Sequence, residues 1–276
     1  MRTHAENAEL ALLLEVAGTP KPGNVDRHRD HDDLRFEHFL AGAVGSARGL
    51  RLAEEGPVGE AFETAIEGMS EQEGGNTQFG CLLLLVPLVR AAARGGLSPA
   101  GVTEVVEATT VADAAGFYRA FEHVDVAVSD PPEELDALDV RRGSDAVPTL
   151  EARGLSLHDI MELSADRDDN GREWVRGFPR TFTAAAWILD DEGPAPDRAA
   201  RAFLRLLAER PDTFVAIQRD RATAERASER AQAALDGDIA VEELADEFVA
   251  AGINPGTTAD ITAAALFVAL ERGLAV

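Results

Sequence analysis

Cysteine is nearly missing from this chain of 276 residues: Cys81 stands alone. An internal disulfide and a cysteine metal cluster are thereby excluded. Aromatic residues make up only 5 % of the chain. A core must then be built from Ala, Leu and Val, which suits packing of helix on helix. Long apolar runs are also missing. The longest, Cys81 to Val89, falls far short of the roughly 20 residues that cross a bilayer, so no membrane partner is expected. The first residues carry His4, Glu6 and Glu9 and no basic segment ahead of an apolar run. They do not form a signal peptide, and the expected location is the cytoplasm. Cations are outnumbered, 26 against 50 acids, for a formal charge of −24. Such a field repels phosphodiester backbones and excludes nucleic acid as a partner. Walker A, G-x-G-x-x-G, H-E-x-x-H and nucleophile-elbow patterns are all missing, and the six histidines show no metal-ligand spacing.

What is present is helical periodicity. Hydrophobic residues form 45 % of the chain, enough for a substantial core. Helices are predicted over Ala5 to Ala17, Phe36 to Ala53, Val58 to Met69, Gln78 to Ala93, from Ser98-Pro99 onward, Thr110 to Glu122, Ser156 to Ser164, Arg172 to Asp190, Asp197 to Glu209, Thr223 to Leu235, Val241 to Ala251, and from Asn254 to about Arg272. Ser129 to Asp145 reads as an exposed connection. Asp125 to Val128 is the best strand pattern and is too short to build a sheet. The expected fold is all-α: a single domain over residues 1–276, a multi-helix bundle around a central pair of apolar helices.

Chemistry gathers in three polar motifs. The first is Thr19 to Arg27, in the long loop that ends at Arg35. Loops of that length inside compact domains are often functional. It holds Lys21, the single lysine beside 25 arginines. A lone lysine in an arginine background marks a place where a compact ammonium does something a guanidinium cannot. Pro20 and Pro22 stiffen its backbone, Gly23 permits a close approach, and Asn24 and Asp26 orient Lys21 and Arg27. Such a loop suits the clamping of a polyphosphate. Just beyond it lie Asp30, His31, Asp32 and Asp33: carboxylates to hold Mg²⁺ and a histidine for acid–base work. The second motif, Gly74 to Gly80, places Asn76 and Thr77 at the start of the most apolar helix. The third, Asn254 to Asp260, places Gly256, Thr257 and Thr258 at the start of another. A helix start exposes free N–H groups and a positive dipole end, and attracts anions. A weaker segment joins Asp212 and Thr213 to Arg219.

These motifs, in this order, resemble the triphosphoribosyl-dephospho-CoA synthase family. Its T-P-K-P-G-x-V-D-R segment is matched by Thr19 to Arg27, and its H-x-D cluster by His31 and Asp33. Asn76, Thr77 and Gly80 match N-T-x-x-G, while Asp212, Thr213 and Arg219 match the D-T segment with its following Arg. Pro255, Gly256, Thr258, Ala259 and Asp260 match the last segment. Bacterial members carry His and Lys where this chain has Gln78 and Phe79, and the chain looks more like the archaeal branch. The resemblance implies an all-α enzyme that takes ATP and 3′-dephospho-CoA, releases adenine, and joins triphosphoribose to the ribose 2′-hydroxyl. It implies binding of ATP by Lys21, Pro22, Gly23, Asn24, Arg27, Asn76, Thr77, Asp212, Arg219, Asn254, Gly256, Thr257 and Thr258. Asp26, Asp260 and His31 are the catalytic candidates, and Asp30, Asp32 and Asp33 the candidates for Mg²⁺. Two other readings stay open: a transferase with a different acceptor, and a non-catalytic helical nucleotide-binding protein. A homo-oligomer is compatible with the sequence.

The acids are scattered through the chain rather than gathered in a tail, a pattern expected of a protein adapted to high salt, where screening removes self-repulsion. Thermal unfolding in rising KCl should therefore show a climbing midpoint. Equal midpoints in dilute buffer and molar KCl would refute the adaptation.

Overall fold

The computed structural model describes residues 2–276, and among these residues helices take most of the chain. They are α1 (His4–Ala17), α2 (Phe36–Ala53), α3 (Val58–Met69), α4 (Phe79–Ala93), α5 (Pro99–Glu107), α6 (Val111–Ala120), α7 (Val147–Arg153), α8 (Leu157–Ser164), α9 (Asp169–Arg176), α10 (Pro179–Asp190), α11 (Ala195–Glu209), α12 (Thr213–Gln218), α13 (Arg221–Leu235), α14 (Val241–Ala251) and α15 (Gly256–Glu271). Local chemistry sets many of the starts. Thr3 and Glu6, Thr110 and Asp113, and Ser156 and Asp159 form capping boxes, each satisfying helix-start N–H groups. Ser98 accepts from the Gly101 amide, with Pro99 in the first helical turn.

The expected central pair is α4 and α15. From Ile261 to Leu270 no side chain is more than 5 % exposed, and α15 packs against α1, α4, α10 and α11. One apolar cluster runs through most of the bundle, and a smaller one joins α11, α13 and α14. Pro87 sits inside α4 and has no N–H, so the Leu83 carbonyl loses its helical donor. The Trp174 indole of α9 replaces that donor, with Nε1–H reaching the Leu83 oxygen at 3.1 Å. A side chain from one element thus repairs a defect in another, in a place closed to water.

The structure departs from the sequence expectations at three places. The single helix expected over Arg172 to Asp190 is two, α9 and α10, broken at Gly177 and Phe178. The buried Glu173 carboxylate explains the break, since it accepts the Arg180 and Thr181 amides and so caps α10. The connection from Ser129 to Asp145 contains two 3₁₀ turns, Glu133–Leu138 and Val140–Ala146. Asp125 to Val128 builds no sheet, as its shortness implied; the one β pairing among the described residues is an isolated bridge between Asp26 and Arg29. Two short helices, α7 and α12, have too few turns for their periodicity to register. No helix among the described residues is long and apolar enough to cross a membrane.

Trp174→Phe should leave the Leu83 carbonyl buried and unpaired, at a cost of about 1–3 kcal/mol beyond the lost packing. Urea unfolding measures it; an unchanged midpoint would show that the indole bond contributes nothing.

Candidate active site

The long loop after α1 folds onto the turn that opens α15. Gly23 has φ +79°, and a Cβ there would lie 1.9 Å from the Ile253 carbonyl oxygen, so no other residue fits. Next to it Asn24 Nδ2 donates to Asn254 Oδ1 at 2.6 Å, and His31 Nε2–H donates to the Gly23 carbonyl at 3.0 Å. Lys21 is fully buried and forms an ion pair with Glu15, an acid on the inward face of α1 below Ala8, Ala11 and Leu12. Burial pushes the Glu15 carboxyl up, and the ammonium beside it pulls it back toward the charged form.

The starts of α4 and α15 also cross at close range. A Cβ on Gly80 would lie 2.0 Å from Asp260 Oδ2 and 2.7 Å from Asn170 Nδ2. Asp260 is gripped from both sides: Asn170 Nδ2 donates to Oδ2 at 2.8 Å, and the Cys81 thiol to Oδ1 at 3.2 Å. Asn76 Oδ1 accepts the Phe79 amide at the head of α4. Asp212 caps α12 through the Val215 amide and also accepts both the amide and the hydroxyl of Thr258, at 2.7 and 2.6 Å. Thr213 and Thr257 share a hydroxyl contact of 3.1 Å.

Between these starts lies one cavity of about 290 Å³. Its wall includes Glu15 of α1, Lys21 and Asn24 from the first motif with His31 just beyond it, Asn76 and Thr77 from the second, and Asn254, Gly256, Thr257 and Asp260 from the third. Asp168, Asn170 and Arg167 line it from the segment before α9 and its first turn, and Phe79, Phe117 and Phe121 form an aromatic side. Burial raises the Asp260 carboxyl to about 7, its hydrogen bonds from Asn170 and Cys81 working against the shift. Burial raises Asp168 and Asp212 as well. Near neutrality Asp260 is therefore poised to gain or lose a proton, the condition for acid–base work. Asn24 Oδ1, Asn170 Oδ1 and Thr77 Oγ1 are buried without a protein partner. Buried polar atoms of this kind call for a partner from a ligand or water.

Several expected residues stand elsewhere. Asp26 does not line the cavity. Its carboxylate receives the Thr19 hydroxyl, the Lys21 and His28 amides and Arg29 Nη1, at 2.8, 3.4, 2.8 and 3.3 Å, so it knits the loop together. Arg27 is exposed and faces Asp197 at 3.5 Å. Arg219 donates to the Ala251 and Gly252 carbonyls and caps the end of α14. Pro22 and Thr258 are buried outside the cavity wall. Asp30, Asp32 and Asp33 are exposed and do not line the cavity, although His31 and Leu34 beside them do, and Asp30 accepts the Phe36 amide at the head of α2. That donor set does not fit a cation shared with a ligand in this cavity. The one compact acid and histidine group among the described residues, His158 with Asp159 and Glu162, has its Asp159 committed to the Ser156 cap. Glu15, Cys81, Asp168 and Asn170 were not anticipated. Glu15 had a legible signal, an acid at the spacing of an apolar helix face; the others lie beside Asp260 only because the helices cross.

The fold is an all-helical bundle with a polar cavity lined by helix starts in its interior. The chain belongs to the CitG family, ATP:dephospho-CoA triphosphoribosyl transferase, whose model matches residues 1–275. It is therefore an ATP-dependent transferase. A provisionally assigned triphosphoribosyl-dephospho-CoA synthase from Archaeoglobus fulgidus, solved by crystallography, is similar in structure, with a TM-score of 0.68 and 25 % identity over 86 % of this chain and 100 % of that one. No curated protein matches the sequence.

Asp260 makes stability depend on pH. Its folded value, about 7, lies above the ordinary 3.8, so the folded state holds the proton more tightly. The stability from that protonated group is complete below the ordinary value and is lost as pH rises toward 7. Asp260→Asn should therefore gain stability relative to the wild type between about pH 4 and pH 7, with a constant difference above that range. A difference in unfolding midpoint that stays flat over the range would remove Asp260 as a neutral-range titrating group.

Proposed function

We propose that this chain moves the triphosphoribosyl group of ATP to the ribose 2′-hydroxyl of 3′-dephospho-CoA and releases adenine. Membership of the family supports the class of reaction, and the Asp260 carboxyl in the cavity carries the reading. In this transfer the bond from ribose C1′ to adenine N9 breaks while a bond from C1′ to the acceptor oxygen forms. Positive charge develops on the ribose, and the acceptor hydroxyl gives up a proton. A buried carboxylate beside C1′ stabilises that charge and takes that proton. The same proton then leaves on adenine, and the balance closes without a further reactant. Asn170 and the Cys81 thiol hold Asp260 in one orientation. Asn24 Oδ1 and Asn170 Oδ1 are free to accept from ribose hydroxyls. The aromatic side of the cavity suits a planar base.

One observation favours a second reading, in which ATP is kept and the acceptor differs. Phe79 stands where bacterial members carry Lys, and it packs into a cluster with Phe62, Phe117 and Phe121. Gln78, in place of His, is buried outside the cavity wall with its amide unpaired. An apolar wall replaces a cation at that point, and a less anionic acceptor fits it.

Incubation with ATP and dephospho-CoA in molar KCl should release free adenine, and Asp260→Asn should lower the rate by about 10²-fold or more. Adenine release that appears only with another acceptor would establish the second reading. None with any acceptor, against intact ATP binding, would leave a binding protein.

A further inference from the structure

A triphosphate needs cations, and the cavity around Asp260 supplies few. Lys21 is paired with Glu15, Arg27 lies outside, and the wall carries the acids Glu15, Asp139, Asp168 and Asp260. The one other cation on that wall is Arg167, which donates to the Leu163 carbonyl and pairs with no acid.

Arg167 also lines a second cavity, of about 610 Å³, which shares Val128, Ser129 and Ile217 with the first. Arg172, Arg210 and Arg221 line it too. Behind the wall Arg172, Arg180 and Arg210 all converge on the buried carboxylate of Asp169; Arg180 approaches at 2.9 Å and Arg210 at 3.2 Å. Three guanidiniums thus share one compensating acid. Arg210 and Arg172 are each pushed down by burial, with repulsion from neighbouring guanidiniums adding to it. Four arginines on this wall face three acids: Asp130, paired with Arg141; Asp212, which accepts from Thr258 and Val215; and Asp166, whose charge acts on Arg172. In a chain with a formal charge of −24, this is a local excess of forked cations with spare donors.

We infer that the second cavity, through Arg167, Arg172 and Arg210, is the site for a linear polyphosphate, whose sugar end reaches Asp260 past Arg167. The nature of the ligand rests on the transfer reading above; the anion site itself rests on the arginines. Acid-lined and arginine-lined cavities divide the substrate by charge: the developing cation meets carboxylates, and the phosphates meet guanidiniums.

Inorganic tripolyphosphate is the probe, titrated calorimetrically into the full chain at one fixed KCl concentration. Arg210→Gln and Arg167→Gln are the test variants, because both side chains are substantially exposed, and Arg27→Gln is the control. Binding should fall about tenfold or more in each test variant and stay within about twofold in the control. A test variant whose unfolding midpoint has dropped is replaced by Arg210→Lys, which keeps the charge, loses the fork, and should bind at an intermediate strength. Undetectable binding to the wild type, or equal binding by wild type and test variants, overturns the site. Weakened tripolyphosphate binding without adenine release under any condition upholds the site and sinks the transfer reading. Adenine release with an unchanged KM for ATP in Arg167→Gln and Arg210→Gln does the reverse.

Discussion

The crossing of two helix starts at van der Waals contact or closer governs this protein. Gly80 in α4 leaves open the space that the Asp260 carboxyl of α15 occupies, since a Cβ there would stand 2.0 Å from Oδ2. The rest of the cavity is arranged around that contact. Cys81, one residue on, reaches the other carboxyl oxygen, and Asn170 arrives from α9 to hold the first. Desolvation follows from the same closeness and brings the carboxyl near neutrality. Geometry, proton affinity and orientation thus share one cause.

A second constraint fixes the third wall. Gly23 meets the Ile253 carbonyl and Asn24 meets Asn254, so the loop after α1 is fastened to the turn that opens α15. Asp26, which looks catalytic by motif, spends its carboxylate on four donors that hold the loop in shape. One of those donors is the Lys21 amide. Lys21 in turn is held by Glu15 in a pair closed to water. Such a pair is costly to break, because either partner left alone would be a buried uncompensated charge. The compact ammonium fits where a planar guanidinium would not, which accounts for the one lysine in the chain.

Charge is distributed against the average. The chain is strongly acidic, yet guanidiniums gather around Asp169 beside the cavity. α9 supplies much of both halves: Asn170 to the acid side, Arg172 to the basic side, and Trp174 to repair the proline defect of α4.

Helix periods, caps and the two most apolar segments were legible in the sequence, because they depend on residues within one or two turns of each other. So was the all-α fold, since scarce aromatics and dense Ala and Leu leave no other way to fill a core. The polar character of the three motifs was legible too, as was the place of Asp260 at the head of the last apolar helix. The roles of Asp26, Arg27, Asp30 and Arg219 were not, because a charged side chain in a loop carries no mark of the direction in which it points. Asn170, Cys81 and Asp168 had no signal at all: they matter only where α4, α9 and α15 meet. The sequence by itself determined which segments are helical and which turns are polar, through short-range hydrogen bonding and hydrophobic spacing. Only the tertiary structure decided which carboxylate is stripped of water and which arginines face a common space, because both depend on distances between segments far apart along the chain.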